Sequence, residues 1–527
     1  MSESGPANAS DVDEKPDDFA SVALKVQFLV GVSSGASVLL AGPHFASHRD
    51  DFERAFGSVD VLGGTDGSNA SESDGEYDLI CLDVRNRWHP SGTRALIVRF
   101  ARCLAPNGVL VLAAGNRNSL DRIIKRVKAP TCGAGSDATP RLVRETLRRA
   151  GLGVVRQFFA FPSLASPDEY WSVDADGLAL PSYNGRVHHL AQRIGAFGLV
   201  HDDSLFIASR DAVDPVASLI RALTEPLTTS ERWQGPVRLE RFGLRQRGAS
   251  VFVLLGTSGG IVARVALSTR VAARVRRNDD FTSRVHALPS FAPRLKSLVP
   301  RTLGRFEREG AVVFVEPLLS GVLAWKLAPG GGAAQRTKRE AIEFIDALGR
   351  CTGALTEIDE ATFQRLIGAD LDAVRGAFPT LSGARGAINR IREHLRSRLV
   401  GAKAEIVWGH GDFGFGNLLA DAVTGELQGV IDWDTHVVAE LAGVDQANLL
   451  LQLHSAASDG DLANAMRIMS RESASGDRTA IAFAGIRMIS RSVHYIREFR
   501  DHETSYEALL VETESLLRGD SRPVSQP

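Results

Sequence analysis

The positions of apolar and polar residues divide the chain into two parts. In the first part, continuous apolar runs alternate with segments of helical spacing, and the runs cover residues 37–42, 59–62, 77–84 and 109–114. Apolar strands that alternate with helices are typical of a parallel sheet with helices on both faces. We therefore predict a Rossmann-like, doubly wound α/β domain.

The second part changes from β-rich to helical along its length. Its first apolar runs are short and separated by glycine-containing turns, and they cover residues 237–242, 251–256, 261–267 and 311–318. Short runs joined by turns indicate an antiparallel sheet. After the glycine-rich segment 328–335, apolar residues recur at helical spacing. The pattern predicts an α+β domain in which a β-rich lobe precedes a helical lobe.

Polar and turn-prone segments mark the limits of these domains. We predict a disordered N-terminus at 1–18, the Rossmann-like domain at 19–211, a linker at 212–236, the α+β domain at 237–518 and a disordered tail at 519–527. The terminal segments lack the apolar residues from which a core could form.

The composition of the chain argues against several classes of protein and of binding partner. The formal net charge of −2 over 527 residues gives no overall attraction to nucleic acid or to an anionic membrane. The four cysteines are scattered without a C-x-x-C pair, which argues against a disulfide framework. The acidic N-terminus is unlike a signal peptide, and no apolar run is long enough to cross a bilayer. We expect a cytoplasmic protein without a transmembrane segment.

The clearest candidate chemistry lies between residues 408 and 434. His410 and Asp412 follow one apolar run, Asn417 comes five residues after Asp412, and Asp432 closes a second apolar run. Phosphoryl transfer requires a carboxylate beside the attacking hydroxyl, and further oxygen ligands that hold Mg²⁺ against the phosphates. The turn between Asn417 and Asp432 can return the second carboxylate to the same place.

The segments HGDFGFGNLL and GVIDWD closely resemble the aminoglycoside phosphotransferase and choline kinase-like family, over residues 237–519. This resemblance implies a bilobal protein-kinase-like fold and an enzyme that uses ATP and Mg²⁺. It implies Asp412 as the catalytic base, and Asn417 and Asp432 as metal ligands. Asp434 either assists at the metal or caps the loop, and His410 supports the catalytic loop.

The resemblance also implies a nucleotide site in the β-rich lobe. The third strand carries Arg264 where the family usually has lysine, and arginine can bind phosphate through two hydrogen bonds. Gly248 belongs to the loop that would lie over the phosphates. Glu316 begins the segment that would receive adenine, and since Pro317 has no N–H, the donor is expected to be Leu318 or a neighbour.

The first part resembles a class I S-adenosylmethionine-dependent methyltransferase. The resemblance rests on the run 77–84 with Asp83 at its end, on a following helix, and on the turn and strand of LAPNGVLVLAAGNRNS. The segments that would hold S-adenosylmethionine differ, because Gly42 is followed by Pro43 and the second run ends in Gly63 and Gly64. We therefore expect an inert domain kept for docking or recognition, in which Asp83 is the best candidate for a polar contact.

The sequence as a whole predicts a phosphotransferase that acts on a hydroxyl of a small molecule, with a sugar or a sugar-lipid as the expected acceptor. Two alternatives stay open: a bifunctional methyltransferase-kinase, and a non-catalytic regulatory protein built from both folds. Glu440 and Asp445 either face a cationic acceptor or fix their loop to the following helix.

Overall fold

A computed structural model defines the fold over most of the chain. The described residues are 22–62, 77–84, 90–115, 140–161, 169–172, 203–210, 214–228, 237–243, 249–256, 259–308, 310–328, 330–378, 382–458, 460–472, 478–493 and 503–519.

The chain forms two compact units. Unit 1 consists of Met1–Arg276 and Thr302–Leu318, and unit 2 consists of Arg277–Arg301 and Leu319–Pro527. This division into units reflects contacts in space and does not test the domain limits that the sequence predicts. The predicted limits at residues 211 and 237 therefore stay predictions.

Among the described residues, unit 1 is built on one sheet of twelve strands. The strands are β1 Ser37–Ala41, β2 Ser58–Leu62, β3 Tyr77–Asp83, β4 Leu104–Gly115, β5 Val154–Phe161, β6 Glu169–Ser172, β7 Asp203–Ser209, β8 Val237–Gly243, β9 Ser250–Gly256, β10 Gly259–Ala266, β11 Gly304–Arg308 and β12 Ala311–Pro317. Their order in the sheet is β11-β12-β10-β9-β8-β6-β5-β7-β4-β3-β1-β2.

Strand direction divides this sheet into two regions. Strands β2, β1, β3 and β4 are parallel, as the continuous apolar runs predict. Strand β7 lies antiparallel between β4 and β5, so the first part is a mixed sheet rather than a wholly parallel one. Strands β8 to β12 pair antiparallel, as predicted. The two regions join because β6 pairs with β8.

The helices of unit 1 lie against this sheet. They are α1 Val22–Val30, α2 Pro43–Ala46, α3 Arg49–Ala55, α4 Pro90–Cys103, α5 Pro140–Arg149 and α6 Pro215–Thr228, and α7 Thr269–Ala287 runs from unit 1 into unit 2.

One hydrophobic core spans both regions of the sheet. Phe28 from α1 packs on Phe252 of β9 with ring centroids 5.7 Å apart, and Phe158 of β5 meets Phe242 of β8 at 5.0 Å. These rings belong to a single cluster of buried residues. Aromatic burial therefore stabilises the first part of the chain and the β8–β12 region together.

Unit 2 is mainly helical. Its helices are α8 Pro293–Lys296, α9 Gly332–Thr352, α10 Glu360–Phe363, α11 Ala369–Ala377, α12 Ser382–Leu399, α13 Val444–Ala457, α14 Leu462–Glu472, α15 Arg478–Val493 and α16 Glu503–Arg518. Its strands are β13 Val322–Leu323, β14 Ala354–Glu357, β15 Lys403–Gly409, β16 Leu418–Ala420, β17 Leu427–Val430 and β18 Val437–Leu441. They form two small sheets, β13-β16-β17 and β14-β15-β18. No helix within the described ranges is long and apolar enough to cross a membrane.

Candidate active site

The loop that carries Asp412 leaves the end of strand β15. Gly411 has a φ of +82°, and a Cβ at this position would lie 2.0 Å from the carbonyl oxygen of Thr435. Glycine is required here both by the left-handed backbone and by this close approach. The loop therefore passes tightly over the turn that follows Asp432.

His410 is fully buried and links the two halves of the site. Its Nδ1 accepts a hydrogen bond from the N–H of Asp412 at 3.3 Å, and its Nε2 lies 2.9 Å from the carbonyl oxygen of Ile431. The Nδ1 of His410 therefore faces a backbone donor, and its Nε2 faces a backbone acceptor. His410 thus holds the loop of Asp412 against the strand end that precedes Asp432, and its supporting role in catalysis stays a prediction.

Asp445 anchors the same loop from helix α13. Its Oδ2 accepts the N–H of His410 at 2.5 Å, and its Oδ1 accepts the N–H of Gly411 at 3.0 Å. Burial raises the pKa of the Asp445 carboxyl, and this effect is opposed by His410 and by the two backbone donors. Of the two roles left open, these contacts favour the one in which Asp445 fixes the loop to the following helix.

Glu440 is also directed into the protein. Its side chain is buried and forms an ion pair with Arg487 of helix α15. Arg487 additionally lies 3.4 Å from Asp370 and donates to the carbonyl oxygen of Leu366. The Glu440 carboxylate is therefore engaged with arginine rather than directed to an acceptor.

The carboxylate of Asp412 contacts two side chains. Asn417 donates through Nδ2 to the carbonyl oxygen of Asp412 at 2.9 Å and to its Oδ2 at 3.2 Å. Arg491 of helix α15 forms an ion pair with Oδ1. The Asp412 side chain is 41% exposed, so it remains accessible to a hydroxyl group.

Asn417 directly precedes strand β16, and Asp432 lies two residues beyond the end of strand β17. Strand β16 pairs antiparallel with β17, and the N–H of Ile431 donates to the carbonyl oxygen of Asn417 at 2.9 Å. Because Asp432 directly follows Ile431, the hairpin brings the predicted metal ligands beside each other. The prediction that the turn returns the second carboxylate to Asn417 agrees with this pairing.

Asp432 adopts an unusual backbone conformation. Its φ is +66°, and it is the one non-glycine residue with positive φ among the residues that the structure describes. Aspartate tolerates this region better than most residues, and such conformations cluster at functional sites. Asp434 lies within the short 3₁₀ turn Trp433–Thr435 that follows.

The turn after Asp432 is fixed through Trp433. The buried Trp433 indole donates to the carbonyl oxygen of Val430 at 2.8 Å, and its backbone N–H donates to Oδ1 of Asn278 on helix α7 at 3.0 Å. Asn278 is itself almost fully buried. These contacts hold the backbone on both sides of Asp432.

The oxygen donors here suit a hard cation. With Nδ2 of Asn417 bonded to Asp412, Oδ1 is the atom through which Asn417 can bind a metal, and Asp432 adds a carboxylate. Mg²⁺ prefers one or two carboxylates with further oxygen ligands. No cluster of three or more His, Cys, Asp or Glu side chains suited to a metal occurs in the described part of the chain. Asn417 is not among these four residue types, so its amide oxygen is an additional possible ligand. The oxygen atoms of Asn417 and Asp432 are of the kind that Mg²⁺ binds.

The predicted nucleotide residues belong to unit 1. Arg264 lies on β10, opposite Phe314 of β12, and Glu316 is buried on β12. The N–H of Leu318 donates to the carbonyl oxygen of Gly260 at 2.8 Å, so this donor is already used within the sheet. Gly248 lies outside the described residues. The nucleotide roles of these residues stay predictions.

At the end of strand β3, the backbone of Asp83 lies very close to Gly42, which follows strand β1. Asp83 is nearly buried, and a Cβ on Gly42 would lie 2.4 Å from the carbonyl oxygen of Asp83. Gly42 therefore supports packing between neighbouring strand ends. Gly63 and Gly64 lie outside the described residues.

Sequence reasoning missed Arg491 and Asn278. Arg491 is 79 residues from Asp412, and Asn278 is 155 residues from Trp433. Neither residue belongs to a motif, and each lies on a helix with several polar residues. The sequence does show two arginines one helical turn apart, Arg487 and Arg491. This spacing is equally typical of a solvent-exposed helix face, so it does not identify a functional site.

Residues 239–469 match the family described as the phosphotransferase enzyme family, APH. The matched range contains the Asp412 loop and the Asp432 turn. This region of the chain is therefore similar to the aminoglycoside phosphotransferase-like kinase family. No curated protein matches the chain, and no comparison bears on the methyltransferase resemblance, which stays a prediction.

Solved kinase structures also show similarity. Choline kinase from Cryptosporidium parvum Iowa II is 11% identical, with 57% of this chain and 96% of that chain covered and a TM-score of 0.38. The streptomycin–ATP complex of APH(2″)-IIa is 15% identical, with 58% and 99% covered and a TM-score of 0.36. APH(3″)-Id from Streptomyces rimosus with ADP and streptomycin is 15% identical, with 56% and 98% covered and a TM-score of 0.31.

Proposed function

We propose that the protein is an ATP- and Mg²⁺-dependent phosphotransferase that phosphorylates a hydroxyl group of a small molecule. The observation that carries this proposal is the pairing of the Asp412 carboxylate with Asn417, on a hairpin that returns Asp432 beside Asn417. The relatives crystallised with ATP or ADP support the choice of nucleotide. A bilobal kinase-like fold over residues 237–518 belongs to the same proposal.

Asp412 is the proposed base. Its exposed carboxylate accepts a hydrogen bond from the acceptor hydroxyl, orients that oxygen towards the γ-phosphate and receives its proton as transfer proceeds. Asn417 fixes the carboxylate, while His410 and Asp445 fix the backbone of the loop. The chain therefore contributes mainly positioning, which this class of reaction requires.

Asn417 and Asp432 are the proposed ligands of Mg²⁺, and Asp434 is a proposed further ligand. When bound, the cation neutralises charge on the phosphates. The positive φ of Asp432 and the Asn278–Trp433 contact fix the carboxylate-bearing turn. Arg264 is the proposed phosphate contact in the sheet, with Gly248 and Glu316 at the nucleotide. Because the N–H of Leu318 donates to Gly260, the proposed adenine donor is a neighbour of Leu318.

A sugar or sugar-lipid acceptor and a cytoplasmic location complete the proposal. An acceptor screen with labelled ATP tests it. Replacing Asp412 with Asn should lower kcat by about 10²–10⁴-fold, because the base is lost while its shape is kept. Glu360→Gln is a matched control, since Glu360 forms an exposed ion pair with Arg396 elsewhere in unit 2.

Two results would contradict the proposal. Unchanged turnover in Asp412→Asn would exclude this carboxylate as the base. Nucleotide binding without phosphorylation of any hydroxyl compound would favour the regulatory alternative. Methyl transfer from labelled S-adenosylmethionine would instead establish the bifunctional alternative.

A further inference from the structure

The two arginines on helix α15 have different surroundings. Arg487 is buried and lies between Glu440 and Asp370, so carboxylates within the protein compensate its charge. Arg491 follows one helical turn later, is 28% exposed, and pairs with the base Asp412. A positive charge therefore lies at the place where the acceptor hydroxyl must approach.

Contacts other than that of Arg491 hold the catalytic loop. Asn417 already donates to Oδ2 of Asp412, and Asp445 accepts the backbone N–H groups of His410 and Gly411. The guanidinium instead contacts Oδ1, an oxygen that is available for proton acceptance. While this ion pair persists, Arg491 competes with the acceptor for the base.

The sign of this charge selects the acceptor. A guanidinium beside the reaction centre repels an ammonium group and binds carboxylate or phosphate through paired hydrogen bonds. We infer that the acceptor carries an oxyanion next to the hydroxyl that is phosphorylated, and that Arg491 binds this oxyanion. The inference rests on the proposed function, because it assigns the acceptor class of the same site.

Binding then exchanges one ion pair for another. Arg491 leaves Asp412 for the oxyanion of the acceptor, and the freed Oδ1 receives the proton of the acceptor hydroxyl. The acceptor oxygen forms a bond to the γ-phosphorus of ATP, the bond from that phosphorus to the β,γ-bridging oxygen breaks, and ADP leaves. Asp412 is thus released for catalysis when an anionic acceptor is present.

A panel of acceptors with one shared ring tests the inference: glucose, glucosamine, glucuronate and glucose 6-phosphate. The measurements are kcat/KM for transfer from labelled ATP, and the dissociation constant in the presence of a non-hydrolysable ATP analogue. Both should favour an anionic member over glucose by about tenfold or more, and glucosamine should be the poorest ligand.

Variants of Arg491 distinguish recognition of the acceptor from a purely structural role of this side chain. Arg491→Ala should remove the preference for the anionic members, and the values for glucose should stay equal or rise, because Asp412 loses the competing ion pair. Arg491→Lys should restore part of the preference, and Arg491→Glu should shift it to glucosamine. Arg396→Ala is the control, because Arg396 pairs with the exposed Glu360.

The outcomes distinguish this inference from the proposed function. Equal losses for every acceptor in Arg491→Ala, or no anionic preference in the wild type by turnover or by binding, would overturn the inference. The proposed function would survive either result, provided that Asp412→Asn still abolishes phosphorylation.

Discussion

At the scale of single residues, Asp432 combines a proposed chemical role with an unusual backbone. Asn and Gly both tolerate its φ of +66°, whereas Ala in this region is disfavoured by about 1 kcal/mol or more. We expect Asp432→Asn and Asp432→Gly to keep the free energy of unfolding near that of the wild type, and Asp432→Ala to lower it by about 1 kcal/mol.

All three variants should lose activity by about 10²-fold or more, because each removes the carboxylate proposed to bind Mg²⁺. Urea unfolding and Mg²⁺-dependent kinetics measure the two effects separately. If Asp432→Asn kept full activity and an unchanged response to Mg²⁺, the conformation alone would explain why aspartate occupies this position.

Asp445 provides a second residue-scale prediction. Asp445→Ala leaves two buried backbone N–H groups without their acceptor, and such a loss destabilises a protein by roughly 2–5 kcal/mol. The displaced loop should lower kcat by about tenfold or more. A raised acceptor KM with unchanged kcat and stability would instead assign Asp445 to acceptor binding.

The residues that the sequence identified lie close together in the chain. Asp412, Asn417 and Asp432 belong to one short segment, in which strand ends and turns determine their geometry. Arg491, Asn278 and the anchoring role of Asp445 depend on helices packed from elsewhere, so their contacts with the loop have no signature in the segment itself.

At the scale of elements, helix α1 buries the titratable amine of Lys25, and this burial lowers the stability of the fold. Lys25 is 4% exposed, and burial lowers its pKa from 10.5 to about 8, an effect partly opposed by Asp51. Below pH 8 the amine is charged in both the folded and the unfolded chain, so the folded state bears the full cost of burying the charge. Between pH 8 and 10.5 the unfolded chain binds more protons, and stability rises with pH.

We therefore expect Lys25→Met to raise the free energy of unfolding by roughly 2–3 kcal/mol at pH 7. The difference from the wild type should shrink as the pH rises from 8 to 10.5. Urea unfolding of both chains at pH 7 and pH 10 measures it. A destabilised variant at both values would show that contacts of the amine outweigh its burial.

Element predictions succeeded where the apolar pattern is continuous. Strands β1 to β3 and the antiparallel strands β8, β9, β10 and β12 follow their apolar runs closely, whereas β4 begins at Leu104, five residues before its predicted run. The direction of a strand is harder to predict from the sequence than its position. Strands β5 and β7 are both apolar, and nothing in their pattern shows that β7 runs antiparallel to β4 and β5. Short strands such as β6 and β11 carry too few residues to show a period.

At the scale of the whole molecule, the sequence predicts two domains joined by a linker, while unit 1 contains a sheet that crosses this linker. The junction depends on the pairing of β6 with β8 and on rings contributed from both sides. Pairing between distant strands is determined by tertiary packing, which local periodicity does not report. The predicted domain limits near residues 211 and 237 stay predictions.

Removing the first part of the chain tests whether the region from β8 onward is independent. A chain of residues 214–527 would expose the edge of β8 and remove Phe158 and Phe28, which pack on Phe242 and Phe252. Burial of each such side chain contributes about 1.5–3 kcal/mol, and exposed strand edges promote aggregation.

We expect the truncated chain to be poorly soluble, or to unfold at a markedly lower temperature than the full chain, and to lose nucleotide binding. Thermal unfolding, gel filtration and titration with an ATP analogue measure these effects. Full-length Phe28→Ala is the matched control, because it removes one ring contact but keeps the strand pairing, and it should be destabilised by about 3–5 kcal/mol without loss of the fold. A soluble 214–527 chain with the unfolding temperature and nucleotide affinity of the full chain would instead establish an autonomous kinase-like domain and reduce the shared core to a packing contact.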